Sequence, residues 1–204
     1  DIEAARTLLR EALAVFEKME SIFFVNLIDN RLRDLREKSI AMNVAHDKVT
    51  QELEEAGKIQ GSFLPEEVPN IPGWEIAAVL RPAHETSGDF YDFLNLPGNK
   101  LGVVVADVAD KGIGAALYMT TCRTLIRTFA GQYLDSPELV LANANQRILA
   151  DTHGGLFITV FYGVLDTTSG EFKYCNAGHN SPFIFSAAGN EHRLELVRTG
   201  MPLG

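Results

Sequence analysis

The sequence is poor in cysteine, contains no long apolar run and gives no sign of a secretion signal. Its two cysteines, Cys122 and Cys175, form no Cys-x-x-Cys pair, so neither a disulfide framework nor a zinc knuckle is indicated. We expect both to be buried thiols of a cytoplasmic protein. The longest apolar run, residues 22–28, is broken by Asn26 and is too short to cross a bilayer. Since the chain begins with Asp1, we expect it to start inside a longer protein.

The sequence also lacks an excess of basic residues. It carries 27 acidic and 18 basic residues, a net charge of −9. Residues 61–204 hold 15 of the acidic and 9 of the basic residues. A nucleic-acid-binding face needs a surplus of Lys and Arg to neutralise phosphates. Nucleic acid is therefore not an expected partner.

Proline is absent from residues 2–63, where Leu, Ala, Glu, Lys and Arg dominate. This composition predicts one or two long helices, and we expect residues 1–64 to be a helical segment before a folded domain at residues 65–204. A seven-residue repeat places two seams on the helix: Leu35, Met42, Val49, Ala56 and Phe63, and Leu32, Ser39, His46, Leu53 and Gln60. The first seam is apolar and the second half polar, which fits a coiled-coil homodimer or a helix packed on its own domain.

From residue 74 the pattern changes to that of an α+β domain. Strands are predicted at residues 74–83 and 100–107, and a helix at residues 113–129. Ser136 and Pro137 have the residue types of an N-cap and first helical position, so a second helix is expected up to residue 150. Further strands are predicted at residues 156–165, 172–176, 183–186 and 194–197. Helices inserted among short strands indicate an α+β fold.

Two acidic clusters accompany the predicted strands. Residues 87–92 (SGDFYD) follow one strand, and residues 106–112 (ADVADKG) end another. Carboxylates beside glycine, without His or Cys, make a hard-oxygen site suited to Mg²⁺ or Mn²⁺. The alternative is that these acids cap turns and helices, as Asp92 and Asp110 could. Burial of Asp107 after Val-Val-Val-Ala would be costly without a cation.

Five motifs occur together in one order. They are Ile59-Gln60, Pro82 to Asp92 (PAHETSGDFYD), Ala106 to Gly112 followed by Ala115 to Met119 (AALYM), Phe157-Ile158-Thr159, and Asn176 to His179 (NAGH). Together they resemble the SpoIIE/RsbU family over residues 59–204. This family is a bacterial branch of the Mg²⁺/Mn²⁺-dependent Ser/Thr phosphatases of the PPM superfamily.

The resemblance implies a four-layer α/β/β/α sandwich and hydrolysis of phosphoserine or phosphothreonine. Asp107 would bridge two Mn²⁺ or Mg²⁺ ions, the carbonyl of Val108 would add a ligand, and Asp89 would hold one ion. Two cations about 3.5–4 Å apart activate a bridging water without a covalent intermediate. The implied partner is a phosphorylated anti-sigma-factor antagonist of the STAS type, and the N-terminal helix would relay the signal of an upstream sensor.

Three further residues have two interpretations each. Glu85 could orient a metal-bound water or be a surface carboxylate. Lys111 could place a phosphate or balance the acidic cluster. His179 could donate a proton or form a structural hydrogen bond.

The chain departs from the family pattern in two places. Ser87 stands where the family usually has glycine, and the sequence ends at Gly204, before the strand that carries the family's remaining metal-binding aspartates. We therefore expect a domain incomplete at its C-terminal end, with weak metal binding and weak or no activity in this chain. The alternative function is a non-catalytic phosphatase-fold module that binds its partner and signals by dimerisation.

Overall fold

The computed structural model describes residues 2–19, 22–82, 86–151, 155–185 and 193–204. These residues form two compact units, Asp1–Glu52 and Leu53–Gly204. The division falls within a helix, whereas the boundary predicted from the sequence, between residues 64 and 65, stays a prediction.

The first unit consists of α1 (Ile2–Lys18) and the greater part of α2 (Ile22–Gly61). The rings of Phe16 and Phe24 stack with centroids 4.6 Å apart, and Ile28 is buried. The absence of proline and the helix-forming composition therefore produce the predicted helices, while the coiled coil stays a prediction.

The second unit is built on an antiparallel four-stranded sheet. Its strands are β1 (Phe90–Leu96), β2 (Lys100–Val108), β3 (Ile158–Asp166) and β4 (Phe172–Ala177), and their spatial order equals their chain order. The turn between β1 and β2 contains Gly98 and Asn99, both with positive φ, as a tight hairpin requires. A separate two-stranded sheet pairs β5 (Phe183–Phe185) with β6 (Arg193–Glu195).

Two helices supply the apolar surface that covers one face of the four-stranded sheet. They are α3 (Ile113–Ala130) and α4 (Pro137–Asp151), and the backbone N–H of Val140 bonds to the carbonyl of Ser136, as expected at the predicted start of α4. Met119, Cys122 and Ile126 from α3 pack with alternate residues of the strands, such as Val104 and Val160. Because strand side chains alternate between faces, the residues between these, including Asp107, lie on the opposite face.

The segment around Leu203 is attached to β3. Ile158 and Leu203 exchange two backbone hydrogen bonds of 2.8 and 2.9 Å, and Leu203 is buried in the core. The backbone of Thr199 donates to the carbonyl of Asn176. Thr199 and Leu203 are thereby fixed beside β4 and β3, respectively.

The secondary structure differs from the prediction in three places. Residues 74–82 form no strand, although their composition is typical of one; no described strand pairs with them, and a strand needs a neighbour for its backbone hydrogen bonds. Conversely, β1 was not predicted, so the first acidic cluster opens a strand instead of following one. The β6 strand also begins and ends earlier than predicted. Among the described helices, none is both long and apolar enough to span a membrane.

Candidate functional site

The carboxyl groups of Asp89 and Asp107 meet at one end of the sheet. Phe90 of β1 pairs with Ala106 of β2 in an antiparallel register. Asp89 and Asp107 are the next residues in this register and lie opposite each other. Both residues line a pocket of about 310 Å³ together with Thr86 and Lys111. The predicted pairing of the two acidic clusters is thus present, although Asp107 is exposed instead of buried.

Gly88 allows this close approach. A Cβ atom at Gly88 would lie 3.1 Å from the carbonyl oxygen of Val108 and 3.2 Å from its Cβ, tighter than an ordinary van der Waals contact. The N–H of Val108 also points to the carbonyl of Gly88 at 3.4 Å. The loop that carries Asp89 therefore packs directly on the segment that carries Asp107. The role of the Val108 carbonyl as a metal ligand stays a prediction.

Gln60, near the end of α2, holds the same loop from the other side. Its amide Nε2 donates to the carbonyl of Ser87 at 2.6 Å, and its Oε1 accepts from the N–H of Ser87 at 2.9 Å. The hydroxyl of Ser87 in turn accepts a 3.0 Å hydrogen bond from the N–H of Asp89. The side chain of Ser87 thus accepts a hydrogen bond within this loop that glycine could not accept.

His179 lies beside the two carboxylates. Its Nδ1 is 2.8 Å from the hydroxyl of Thr159, which lies opposite Asp107 in the β2–β3 register. Its backbone N–H donates to Oδ1 of the buried Asn176 at 2.9 Å. The ring is therefore held by a hydrogen bond at the edge of the site, and it also lines a larger cavity of about 740 Å³ with Asp89 and Asp107.

The electrostatics of the site favour a cation. Partial desolvation raises the pKa of Asp89, and the hydrogen bond and negative charge of Asp107 raise it further, while His179 opposes the shift. Burial lowers the pKa of His179, and the charge of Asp89 counteracts this. Two facing carboxylates repel each other when both are ionised, and a divalent cation would relieve that repulsion.

Lys111 and Asp110 complete the rim of the smaller pocket. Asp110 has φ of 105°, an uncommon value for a residue other than glycine, and its Oδ1 accepts from the N–H of Lys111 at 2.8 Å. Asp110 thus stabilises the turn before α3 but does not cap the helix, whose N-cap Gly112 has no side-chain capping hydrogen bond. Glu85 lies outside the described residues.

Asp92 belongs to the core and not to the site. It is 1% exposed, and its carboxylate accepts two hydrogen bonds of 2.7 and 2.8 Å from Arg127. Nε of Arg123 lies 3.1 Å from the same carboxylate. Burial lowers the pKa of Arg123, and Asp92 opposes that shift. The turn-capping alternative for Asp92 is therefore wrong: an ion-pair triad links β1 to α3.

The donor set fits a hard cation, though it is small. Oxygen atoms of Asp89, Asp107 and the Val108 backbone are ligands that Mg²⁺ and Mn²⁺ accept. In the described part of the chain, no group of three or more His, Cys, Asp or Glu side chains could hold a metal ion. The site thus offers two carboxylates, which suits an ion that retains several waters.

Comparison with known proteins identifies the family. The sequence profile described as Stage II sporulation protein E (SpoIIE) matches residues 97–204, more than half of the chain. The chain belongs to the SpoIIE family. The SpoIIE-type chain is 35% identical over 191 residues to Protein IcfG of Synechocystis sp. (strain ATCC 27184 / PCC 6803 / Kazusa), covering 81% of this chain and 30% of that protein.

A second relative is the phosphoserine phosphatase RsbU of Bacillus subtilis (strain 168). It is 31% identical over 157 residues, covering 77% of the SpoIIE-type chain and 46% of RsbU. The chain thus spans less than half the length of either curated relative.

Solved structures agree on the fold. The SiaA-PP2C domain of Pseudomonas aeruginosa superposes with a TM-score of 0.62 at 18% identity, covering 78% of this chain and 64% of that one. The predicted α+β fold of the phosphatase-sandwich type, with helices before it, is confirmed. The predicted relationship to SpoIIE/RsbU phosphatases of the PPM superfamily is confirmed as well.

Proposed function

We propose that the protein of which these residues are part is a metal-dependent Ser/Thr phosphoprotein phosphatase. The observation that carries the proposal is the position of Asp89 and Asp107. The two residues lie opposite each other where β1 and β2 meet, and both line a pocket of about 310 Å³. The similarity to a relative named phosphoserine phosphatase supports the same chemistry. Mn²⁺ or Mg²⁺ bound there would supply an activated water and neutralise charge on the phosphoryl group.

The chain's own residues would hold and orient the reactants. Asp107 and Asp89 would hold the cations, and the Val108 carbonyl would add a ligand. Lys111 at the rim would attract the phosphate group of the substrate. His179, fixed by Thr159 at 2.8 Å, would keep its other ring nitrogen available for a hydrogen bond in the pocket. For residues 1–204 alone, two carboxylates imply weak Mn²⁺ affinity and weak or no activity.

The test is phosphate release from a phosphoserine protein by the whole protein in the presence of Mn²⁺. The Asp107→Asn variant should lose activity by about a hundredfold or more, since one charged ligand is removed. Asp135→Asn is the matched control, because Asp135 pairs with Lys100 on the surface, away from the site. Full activity in Asp107→Asn would refute the assignment of Asp107.

A second candidate is a non-catalytic module that binds its partner without hydrolysis. The small number of ligating side chains in the described residues favours it. Calorimetric titration of the whole protein with Mn²⁺ separates the two functions. Two tight sites accompanied by turnover support the phosphatase, and absence of both supports the module.

For the partner, we propose a phosphorylated regulatory protein of the STAS type, in keeping with the family resemblance, and a second copy of the chain.

The seam residues Met42 and Val49 on α2 are 63% and 54% exposed, which leaves them available to a dimer. Met42→Glu with Val49→Glu should therefore yield monomers in equilibrium sedimentation. Val44→Glu, on the opposite face and 62% exposed, is the control. A monomeric starting protein would refute the dimer. The cytoplasmic location stays a prediction.

A further inference from the structure

Four arginines line an open groove between α1 and α2. The groove measures about 640 Å³, and its lining consists of Arg6, Arg10, Asp29, Leu32, Arg33 and Arg36. All of these residues belong to the first compact unit. We call this the arginine groove.

The spacing of the residues explains how they come together. Arg6 and Arg10 are four residues apart on α1, and Arg33 and Arg36 are three apart on α2. Residues three or four apart lie on the same face of a helix. Each helix therefore presents two guanidinium groups to the same groove.

The positive charge of the groove is incompletely balanced. Arg6 donates to Glu3 at 2.7 Å, whereas Arg10, Arg33 and Arg36 form no ion pair with any residue that the structure describes. Elsewhere on α2 the cations do find acids: Arg31 and Lys38 both pair with Asp34.

Four guanidinium groups against the carboxylates of Glu3 and Asp29 leave an excess of two positive charges, in a chain whose net charge is −9. Like charges held together are mutually repulsive, so an anion that fills the groove would stabilise the helix pair. Guanidinium groups bind phosphate oxygens through paired N–H donors. A phosphomonoester carries a charge of about −1.5 to −2 at neutral pH, which matches the excess.

We propose that the arginine groove binds a phosphate dianion, with Arg10, Arg33 and Arg36 as the principal donors. The phosphate belongs either to a phosphorylated side chain of a protein or to a free small anion, and the chemistry of recognition is shared. The groove contains neither Asp89 nor Asp107, so the proposal holds independently of the proposed phosphatase activity.

The test measures binding of inorganic phosphate to the 204-residue chain by calorimetry, with EDTA present so that divalent cations cannot bring phosphate to the carboxylate pair. We expect saturable binding and a rise in melting temperature that sodium chloride of equal ionic strength does not reproduce. Arg10→Gln combined with Arg33→Gln should weaken binding by about tenfold or more, because charge-assisted hydrogen bonds are lost.

The matched control is Arg31→Gln, which removes the same charge from α2 outside the groove and should change the affinity less than about twofold. Arg10→Lys with Arg33→Lys keeps the charge and loses the paired donors, so it should bind with intermediate affinity. A circular dichroism spectrum equal to that of the parent chain verifies that each variant is folded.

A phosphoserine peptide and its unphosphorylated counterpart separate the sources of the phosphate. Tighter binding of the phosphopeptide than of inorganic phosphate assigns the groove to a phosphorylated protein, and the reverse assigns it to a free anion. Phosphate binding no stronger than that of chloride, or equal loss in Arg31→Gln and in the double Gln variant, overturns the proposal.

Discussion

The side chain of Gln60 pairs with both backbone groups of Ser87. This contact joins the last turns of α2 to the loop that carries Asp89, through hydrogen bonds of 2.6 and 2.9 Å. Gln60 is 8% exposed, so water cannot readily take the place of its amide in these two hydrogen bonds. The position of one carboxylate of the site therefore depends on where the end of α2 lies.

Replacing Gln60 by Leu should weaken the site without removing a ligand. The N–H and carbonyl of Ser87 would lose their partners in a partly buried place, at a cost of about 1–3 kcal/mol. We expect a several-fold loss of Mn²⁺ affinity in calorimetry and a lower urea midpoint. Gln146→Leu, on the exposed side of α4, is the control, and equal effects of the two changes would contradict a specific role for Gln60.

Gly88→Ala should separate the two loops of the site. The new Cβ would press on the Val108 backbone at 3.1 Å, and relief of such overpacking costs about 1–3 kcal/mol. Mn²⁺ binding should fall together with stability. Gly114→Ala introduces the same methyl group in α3 where no atom lies within 4 Å, so it should leave Mn²⁺ binding unchanged and should not lower stability, because alanine favours a helix more than glycine does. Unaltered Mn²⁺ binding in Gly88→Ala would disprove the close-packing argument.

Asp92→Asn should destabilise the second unit strongly. The change leaves Arg123 and Arg127 without their buried carboxylate, and breaking such a pair costs about 3 kcal/mol or more. Urea unfolding measures the loss. Asp135→Asn removes a surface carboxylate from Lys100 and should have a much smaller effect. Similar losses in both variants would show that Asp92 is no more than a surface partner.

The two cysteines should differ in reactivity. Burial raises the pKa of Cys122 to about 12, whereas Cys175 is only half-buried. At pH 8 a disulfide reagent should modify Cys175 in the native protein and Cys122 only after unfolding, because the thiolate is the reactive species. Rapid modification of both thiols in the native state would contradict the buried position of Cys122.

The burial of the Cys122 thiol should also lower the stability of the fold at alkaline pH. The folded pKa of Cys122, about 12, exceeds its usual value of 9.0, so the unfolded chain releases this proton first. The contribution to stability is complete below pH 9.0 and is lost as pH rises towards 12. Cys122→Ala should flatten the fall of the urea midpoint over this range, and Cys175→Ala should not. A parallel fall in the parent chain and in Cys122→Ala would disprove the assignment.

The sequence predicts the parts of the fold whose signals are local. The helices follow from composition and from residues such as Ser136 and Pro137, and β2 follows from its apolar run. The importance of Asp89 and Asp107 follows from the family resemblance, whereas their meeting depends on the pairing of β1 with β2, which the sequence does not predict.

The features that sequence analysis missed depend on distant partners. In β1, the buried residues are Phe90, Asp92 and Leu94. Because Asp92 is polar, the alternation of apolar and polar residues that predicts a strand is interrupted. The burial of Asp92 is explained only by Arg123 and Arg127, which arrive from α3. Residues 74–82 show the reverse case: their local pattern is that of a strand, but pairing decides whether a strand forms. The hydrogen bonds between Gln60 and Ser87 likewise cannot be predicted from the residues next to either of them in the sequence.

The attachment of Leu203 to Ile158 has a kinetic consequence. Asp107 pairs with Thr159 of β3, and the first residue of β3, Ile158, exchanges two backbone hydrogen bonds with Leu203, which is distant in sequence. Contacts between such distant segments require closure of long loops, and they slow folding. During synthesis on the ribosome, the helices can form as they emerge, whereas the carboxylate pair acquires its full support only after Leu203 has left the exit tunnel.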